Sequence, residues 1–264
     1  MQQLFTIFGN PVSHSKSPLM HNLSFRGLNH NGCYTRYRLE DGKQLRQKFF
    51  DLNITGANIT VPHKEEAFKA CDELDEFAKK VGAVNTIINR DGKLYGYNTD
   101  APGFLKAIEE FKDTKRVLFL GAGGTAQSTS MVLRDAGYEV TLLNRSEARL
   151  KRFREDGFET YTFETFNKNN SRYDLIVNMT SAGLEDESLP CPEEILDVVI
   201  PKAKACIDVI YGKDTPFLKL AKKHHKPTKD GSDMLLYQGV IAFEYFTNHK
   251  FTFEEIEKYM KRAF

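Results

Sequence analysis

The chain has 264 residues, enough for two domains that each bury a core of their own. Its 37 basic and 36 acidic residues leave a formal net charge of +1, which argues against nucleic acid or an anionic membrane surface as a partner. No apolar run is long enough to span a bilayer and no signal peptide is apparent, so we expect a cytoplasmic protein. The four cysteines lack the paired spacing of a zinc site, so we expect free thiols and no metal.

The first third of the chain alternates strand and helix patterns. We predict a helix that opens at Ser17-Pro18, with Ser17 as its N-cap and the proline in its first turn. A hairpin is predicted around the turn at Asp91-Gly92. The other predicted elements here are strands at 4–9, 34–39, 56–61, 83–88 and 94–97 and a helix at 45–52.

From Asp100 onward the predicted order is a helix, a βαβ unit that starts with the strand at 117–120, and strands at 174–178 and 205–209. Strands separated by helices predict a parallel sheet covered on both faces. Two apolar helices follow, at 234–246 and 253–260. Because the second domain has enough strands without them, we expect these helices to pack on the first domain.

A glycine-rich turn follows the strand at 117–120; its residues are Gly121, Ala122, Gly123, Gly124, Thr125 and Ala126. In a dinucleotide-binding βαβ unit the first glycine permits the tight turn, and the second lets the backbone approach the pyrophosphate. The small Ala126 lets helix and strand pack closely, and the helix N-terminus attracts the anion. A plain turn is the alternative. Since the turn begins only at Gly121, we expect the residues before it to hold the substrate.

Arg145 follows the next strand, 139–143, where an NAD site places an acidic residue. An arginine there would bind a 2′-phosphate with a planar, permanently charged fork, and Arg149 could add a second charge. A solvated residue at a strand end is the alternative. The sequence favours NADP as the cofactor.

Three polar clusters precede the glycine turn: Ser13–Ser17, Asn58–Lys64 and Tyr97–Gly103. Reduction of a ketone needs a proton donor near the carbonyl oxygen and groups that hold the substrate. The serines suit a carboxylate or a helix cap, and Lys64 is a candidate proton donor or a solvated charge. Asp100 is a candidate partner or the N-cap of the next helix, and Asn85 is similarly ambiguous.

Together these segments resemble the shikimate dehydrogenase family over nearly the whole chain. The motifs that carry the resemblance are 9–18, 56–64, 82–86, 96–100, the glycine turn, Asn144-Arg145-Ser146 and 178–183. Several ordered matches are more specific than any one of them. The resemblance implies NADPH-dependent, reversible reduction of 3-dehydroshikimate to shikimate within aromatic amino-acid biosynthesis.

The resemblance also implies the fold, the domains and the site. The fold is α/β, with an N-terminal substrate domain (1–101 plus 236–264), a Rossmann-type parallel-sheet NADP domain (102–235) and a cleft between them. Lys64 and Asp100 match the catalytic pair. The implied substrate ligands are Ser13, Ser15, Asn58, Thr60, Asn85, Tyr211 and Gln238. The implied cofactor ligands are the glycine turn, Asn144, Arg145, Ser146, Arg149, Thr180, Val209, Gly231 and Met234.

Two residues depart from the family pattern. Asp233 stands where a glycine is usual, in a loop that approaches the nicotinamide, and it either alters cofactor fit or caps the helix. Ser146 replaces a threonine and keeps the hydroxyl.

Three alternative functions fit the sequence less well. A quinate/shikimate dehydrogenase often uses NAD, which Arg145 argues against. A non-catalytic NADP-binding sensor would not need Lys64 and Asp100. A methylene-tetrahydrofolate dehydrogenase type of enzyme would not need paired serines for a small carboxylate. The sequence leaves quinate tolerance open, as well as the choice between monomer and homodimer.

Overall fold

The computed structural model describes residues 2–169 and 171–264, which divide into two compact units. The first unit is the chain up to Gly103 together with Leu236–Phe264, and the second is Phe104–Leu235. The sequence placed the first boundary after residue 101 and the second after residue 235. None of the helices in the described residues combines the length and the apolar character that crossing a membrane requires.

The first unit is built on a mixed six-stranded sheet in the order β2-β1-β3-β5-β6-β4. Strands β1, β2 and β3 run parallel, while β5 and β6 form the antiparallel hairpin predicted from Asp91-Gly92. In chain order its elements are β1 (Gln3–Gly9), α1 (Ser17–Gly27), β2 (Gly32–Arg38), α2 (Leu45–Asp51), β3 (Gly56–Ile59), α3 (Lys64–Ala70), β4 (Glu73–Leu74), α4 (Glu76–Val81), β5 (Thr86–Arg90) and β6 (Lys93–Tyr97). Helix α5 (Asp100–Ile108) begins in the first unit and continues into the second.

The second unit has six parallel strands in the order β12-β11-β10-β7-β8-β9, which is the Rossmann order. The winding direction reverses between β7 and β10, so the loops after these two strands face a crevice at the carboxyl edge of the sheet. The elements are β7 (Arg116–Leu120), α6 (Gly124–Asp135), β8 (Glu139–Leu143), α7 (Glu147–Glu155), β9 (Glu159–Tyr161), β10 (Leu175–Asn178), α8 (Glu193–Val199), β11 (Ala205–Asp208), α9 (Pro216–Lys223) and β12 (Thr228–Lys229).

Two C-terminal helices, α10 (Ser232–Phe246) and α11 (Phe253–Met260), cover the aromatic face of the first unit's sheet. The Phe246 ring lies 4.9 Å from that of Phe5, and the Phe243 ring lies 4.8 Å from that of Phe25 on α1. Aromatic rings at this spacing contribute large buried areas to a core. Residues from the end of the chain therefore complete the core of the first unit.

Three local predictions differ from the structure. Lys16, not Ser17, is the N-cap of α1: its backbone is already in the helical region, so Ser17 is the first helical residue and its side chain is buried. Strand β3 ends at Ile59, which leaves Thr60 and Val61 in the loop beyond it. The sequence prediction also missed α3 and α4, although Asp75 caps α4 in the ordinary way, accepting from the Ala78 N–H at 2.6 Å.

Candidate active site

Lys64 and Asp100 form an ion pair in the first unit. Lys64 is the first residue of α3 and Asp100 is the first residue of α5, and the lysine Nζ donates to the Asp100 carboxylate at 2.5 Å. The side chains are 25% and 13% exposed, so the pair is largely shielded while the ammonium keeps an accessible surface. A charge-assisted hydrogen bond of this kind fixes the position of the lysine. The two residues that the sequence singled out for proton transfer therefore lie together.

The Asn85 side chain is held next to this pair. Its Oδ1 accepts from the Thr99 N–H at 2.7 Å, which anchors the peptide immediately before Asp100. Its Nδ2 donates to the Thr99 hydroxyl at 3.0 Å, and the residue is 2% exposed. The amide group carries two N–H donors, and within the described residues only one of them is engaged, so the other can bind a further partner.

Asn58 has no such free group. Its Oδ1 accepts from the Tyr34 hydroxyl at 2.7 Å, while its Nδ2 donates to the Thr86 hydroxyl at 3.1 Å and to the Asn85 carbonyl at 3.4 Å. Both ends of this buried amide are engaged within the chain. Asn58 thus belongs to the hydrogen-bond network that holds Asn85, and its role as a substrate ligand stays a prediction.

The serine cluster lies in the loop between β1 and α1. Ser13 is exposed, whereas Ser15 is buried and its Oγ accepts from the Ser17 N–H at 3.2 Å. The Arg36 guanidinium donates twice to the Ser15 carbonyl, at 2.6 and 3.2 Å, and so fixes this loop.

A surface cavity of about 460 Å³ lies beside the loop. It is lined by Asn10, Pro11, Val12, Ser13, Arg36 and Arg38. Two guanidinium groups and a hydroxyl suit an anion such as a carboxylate. The sequence analysis missed both arginines, although positions i and i+2 of β2 share one face.

The other predicted substrate ligands are distributed over both units. Thr60 follows β3, and Gln238 lies on α10 within the first unit. A Cβ on Gly103 would lie 2.6 Å from the Gln238 backbone N, so the glycine permits close approach of α5 and α10. Tyr211 lies in the second unit, in the loop that follows β11.

The glycine turn has the geometry of a pyrophosphate site. Gly121 has φ +112°, a conformation that favours glycine, and a Cβ there would lie 2.6 Å from Thr180 Cγ2 at the end of β10. Gly123 caps α6 without a side-chain bond, and neither Gly123 nor Gly124 has any atom within 4 Å of the place a Cβ would take. The backbone N–H groups of the helix N-terminus are therefore open to an anion, and these residues fit a dinucleotide.

Two arginines follow β8, one in the loop after the strand and one in α7. Arg145 and Arg149 are exposed, and neither forms an ion pair with any residue that the structure describes. The Asn144 amide donates to the Ser146 carbonyl at 3.0 Å and shapes the loop between them. The surrounding residues therefore fit a phosphate ligand, which would give these charges a partner.

Val209, Gly231 and Met234 line a small cavity of about 10 Å³ beside the buried Asp208. A Cβ on Gly231 would lie 2.1 Å from the Val209 carbonyl oxygen, so only glycine permits this approach. Burial raises the pKa of Asp208, although the Ile210 N–H and the Asn178 and Thr215 side chains donate to its carboxylate.

Asp233 forms an ion pair with Lys229. Its carboxylate pairs with Lys229 Nζ at 2.5 Å, and the same ammonium also bonds Glu110 and the Ala107 carbonyl. The side chain that replaces the usual glycine is thus occupied by an ion pair within the second unit. Among the described residues, no cluster of histidine, cysteine or acidic side chains could hold a metal ion.

Comparison with known proteins shows which family the chain belongs to. Residues 7–87 match the model of the shikimate dehydrogenase substrate-binding domain. A shikimate dehydrogenase (NADP(+)) of Helicobacter hepaticus is 44% identical over 258 residues, covering 97% of this chain and 96% of the relative. The chain belongs to the shikimate dehydrogenase family.

Solved structures of shikimate dehydrogenases share the whole fold. A shikimate 5-dehydrogenase from Thermus thermophilus in complex with NADP(H) and shikimate superposes with a TM-score of 0.86 at 33% identity, covering 100% of both chains. A shikimate 5-dehydrogenase from Listeria monocytogenes in complex with shikimate and NAD gives 0.82 at 28% identity, covering 97% of this chain and 96% of the other. The predicted α/β class and Rossmann-type sheet are confirmed.

Proposed function

We propose that this protein is an NADP-dependent oxidoreductase that interconverts 3-dehydroshikimate and shikimate in the route to aromatic amino acids. The observation that carries the proposal is the Lys64–Asp100 ion pair, at 2.5 Å, in a chain that belongs to the shikimate dehydrogenase family. A dinucleotide-binding unit alone would not need such a pair.

NADPH, when bound, supplies the hydride that is added to the carbonyl carbon of the substrate. Lys64 donates its Nζ proton to the carbonyl oxygen as that oxygen becomes an alkoxide, and it accepts the proton in the reverse direction. Asp100 holds the ammonium in place and accepts a hydrogen bond from a substrate hydroxyl. The reaction thus requires a group of the first unit and a cofactor of the second to act on one carbonyl.

Binding of the substrate rests on polar groups of known placement. Ser13 and Ser15 bind the carboxylate, with Arg36 holding their loop, and Tyr211 contributes from the second unit. The free N–H of Asn85 and the side chains of Thr60 and Gln238 bind the ring hydroxyls. Asn58 supports Asn85 from behind.

Binding of NADP is assigned to the second unit. The glycine turn 121–126 and Thr180 hold the pyrophosphate, Arg145 and Arg149 hold the 2′-phosphate with Asn144 and Ser146 beside them, and Val209, Gly231 and Met234 lie at the nicotinamide. The open N-terminus of α6 and the unpaired cations support this assignment.

Replacing Lys64 by alanine tests the proposal. Because the variant lacks the proton donor, we expect the kcat of shikimate-dependent NADP reduction to fall by about a hundredfold or more. Lys69→Ala is the matched control, since Lys69 lies on the same helix, is 65% exposed and pairs with Glu66 at the surface. Near-normal turnover of Lys64→Ala would show that another group transfers the proton.

A quinate/shikimate dehydrogenase is the second candidate. The Listeria neighbour was solved with NAD, so a fold of this kind accommodates either cofactor. Parallel assays with quinate and NAD separate this function from the first.

We further propose a cytoplasmic location and a monomeric or homodimeric state. The four cysteines are free, as a reducing compartment would keep them. Burial raises the pKa of Cys191 and Cys206 to about 12, so these thiols are inert.

A further inference from the structure

A chain of buried hydrogen bonds crosses the first unit from the edge strand β2 to the start of α5. We call it the Tyr34 relay; its members are Tyr34, Asn58, Thr86, Asn85 and Thr99. All five side chains are buried, and the last member immediately precedes Asp100. None of the motifs recognised in the sequence includes Tyr34.

The tyrosine hydroxyl determines which atoms of the relay donate hydrogen bonds and which accept them. Burial raises the pKa of Tyr34 well above its ordinary value, so the hydroxyl keeps its proton and donates to Asn58 Oδ1 at 2.7 Å. An amide can present either its oxygen or its nitrogen to a neighbour. Donation from Tyr34 selects the oxygen and turns the Asn58 Nδ2 towards Thr86.

The same order of donors and acceptors continues from Asn58 to Thr86 and Asn85. The Thr86 hydroxyl accepts from Asn58 at 3.1 Å, and it donates to Asn85 Oδ1, also at 3.1 Å, with the Thr99 hydroxyl as a further partner at 3.2 Å. The Asn85 oxygen is thereby fixed where it accepts the Thr99 N–H at 2.7 Å. Hydrogen bonds arranged in such a chain in a low-dielectric interior strengthen one another, and a gap in the chain is costly.

A neighbouring aromatic ring keeps the Tyr34 ring in place. The His21 ring stacks on the tyrosine ring at 4.3 Å with an interplanar angle of 3°. Burial lowers the pKa of His21 to about 3, so the imidazole is neutral at physiological pH and brings no charge to the relay.

We infer that Tyr34 is a positioning residue for the active site. Through the relay, its hydroxyl orients the Asn85 amide that binds substrate and anchors the peptide before Asp100. The inference rests on the proposed function, since it assigns Tyr34 to the same reaction. The tyrosine itself touches neither substrate nor cofactor in this scheme.

Tyr34→Phe tests the inference because it removes the hydroxyl and keeps the ring that stacks on His21. We expect kcat for shikimate oxidation to fall by about tenfold. The buried Asn58 Oδ1 loses its hydrogen-bond donor, and the orientation of the amides in the relay is no longer fixed. The KM for shikimate should rise with it, while the KM for NADP stays within about twofold. Tyr37→Phe is the control: Tyr37 lies on the same strand, packs on Phe8 and is outside the relay, so its kinetics should match the wild type.

A second variant keeps the test decisive if Tyr34→Phe does not fold. Thr86→Val interrupts the relay at its centre with a side chain of the same shape, and we expect the same loss in kcat. If the folded variants lose thermal stability but retain wild-type kcat and KM for shikimate, Tyr34 is only a core residue and the inference is overturned. A folded wild-type protein without shikimate-dependent turnover would instead overturn the proposed function, and the inference with it.

Discussion

At the scale of single residues, Arg145 shows what a sequence can predict about a site. Its place after an apolar strand and its charge are both readable from the sequence, and the structure leaves the guanidinium exposed and unpaired among the described residues. Asn58 shows the opposite case. The family resemblance implied a substrate ligand, and the structure adds that its amide is hydrogen-bonded to Tyr34 and Thr86, which the sequence did not predict. Only the three-dimensional partners of a buried amide decide whether it is free to bind.

Arg145→Ala should weaken NADP binding much more than NAD binding. Loss of a charge-assisted bond to the 2′-phosphate corresponds to about 1.5–3 kcal/mol, so we expect the KM for NADP to rise by at least about tenfold and the KM for NAD to change little. Initial rates with each cofactor measure both effects. Lys151→Ala, on the exposed side of α7, is the control. Equal losses with the two cofactors would remove the 2′-phosphate role.

At the scale of elements, strands made of continuous apolar runs were predictable, whereas two short helices were not. Strands β7, β8 and β10 and the helix α11 lie where the apolar patterns placed them. Helices α3 and α4 have seven and six residues, too short to show a period of 3.6 clearly. Lys16 is the N-cap of α1 in place of the predicted Ser17, because the helical backbone begins one residue earlier than predicted. Such shifts depend on packing around the buried serine, which a local pattern does not contain.

The ion pair of Asp233 connects two elements, the start of α10 and β12. Lys229 is 17% exposed on its side chain and also bonds Glu110 at the end of α5. Asp233→Asn should therefore lower the free energy of unfolding by about 1 kcal/mol. The KM for NADP should stay within about twofold, because the carboxylate faces Lys229.

Glu254→Gln is the matched control for Asp233→Asn. Glu254 holds the second position of α11, as Asp233 does in α10, and both interact favourably with a helix N-terminus. Denaturant unfolding of the two variants separates the ion pair from the helix dipole. A large change in NADP affinity in Asp233→Asn, with unaltered stability, would mean that the carboxylate acts on the cofactor.

At the scale of the whole molecule, the alternation of strands and helices predicted a Rossmann-type sheet, and the parallel order around β7 and β10 confirms it. The sequence also predicted a substrate unit before the glycine turn, because that turn begins only at Gly121. The contributions of Tyr34, Arg36 and Lys229 could not be predicted from the sequence, because each side chain contacts a residue that is distant along the chain. Family membership, the Lys64–Asp100 ion pair and an open helix N-terminus together support a single reaction.

The most direct test is the initial rate of NADP reduction by the purified protein with shikimate, run in parallel with NAD. We predict rapid turnover with NADP and little with NAD, because we propose that Arg145 binds the 2′-phosphate, and no acidic residue stands at that position. A folded protein without turnover on shikimate with either cofactor would contradict the account. Strong activity with NAD would contradict the role of Arg145 and would favour the quinate/shikimate dehydrogenases.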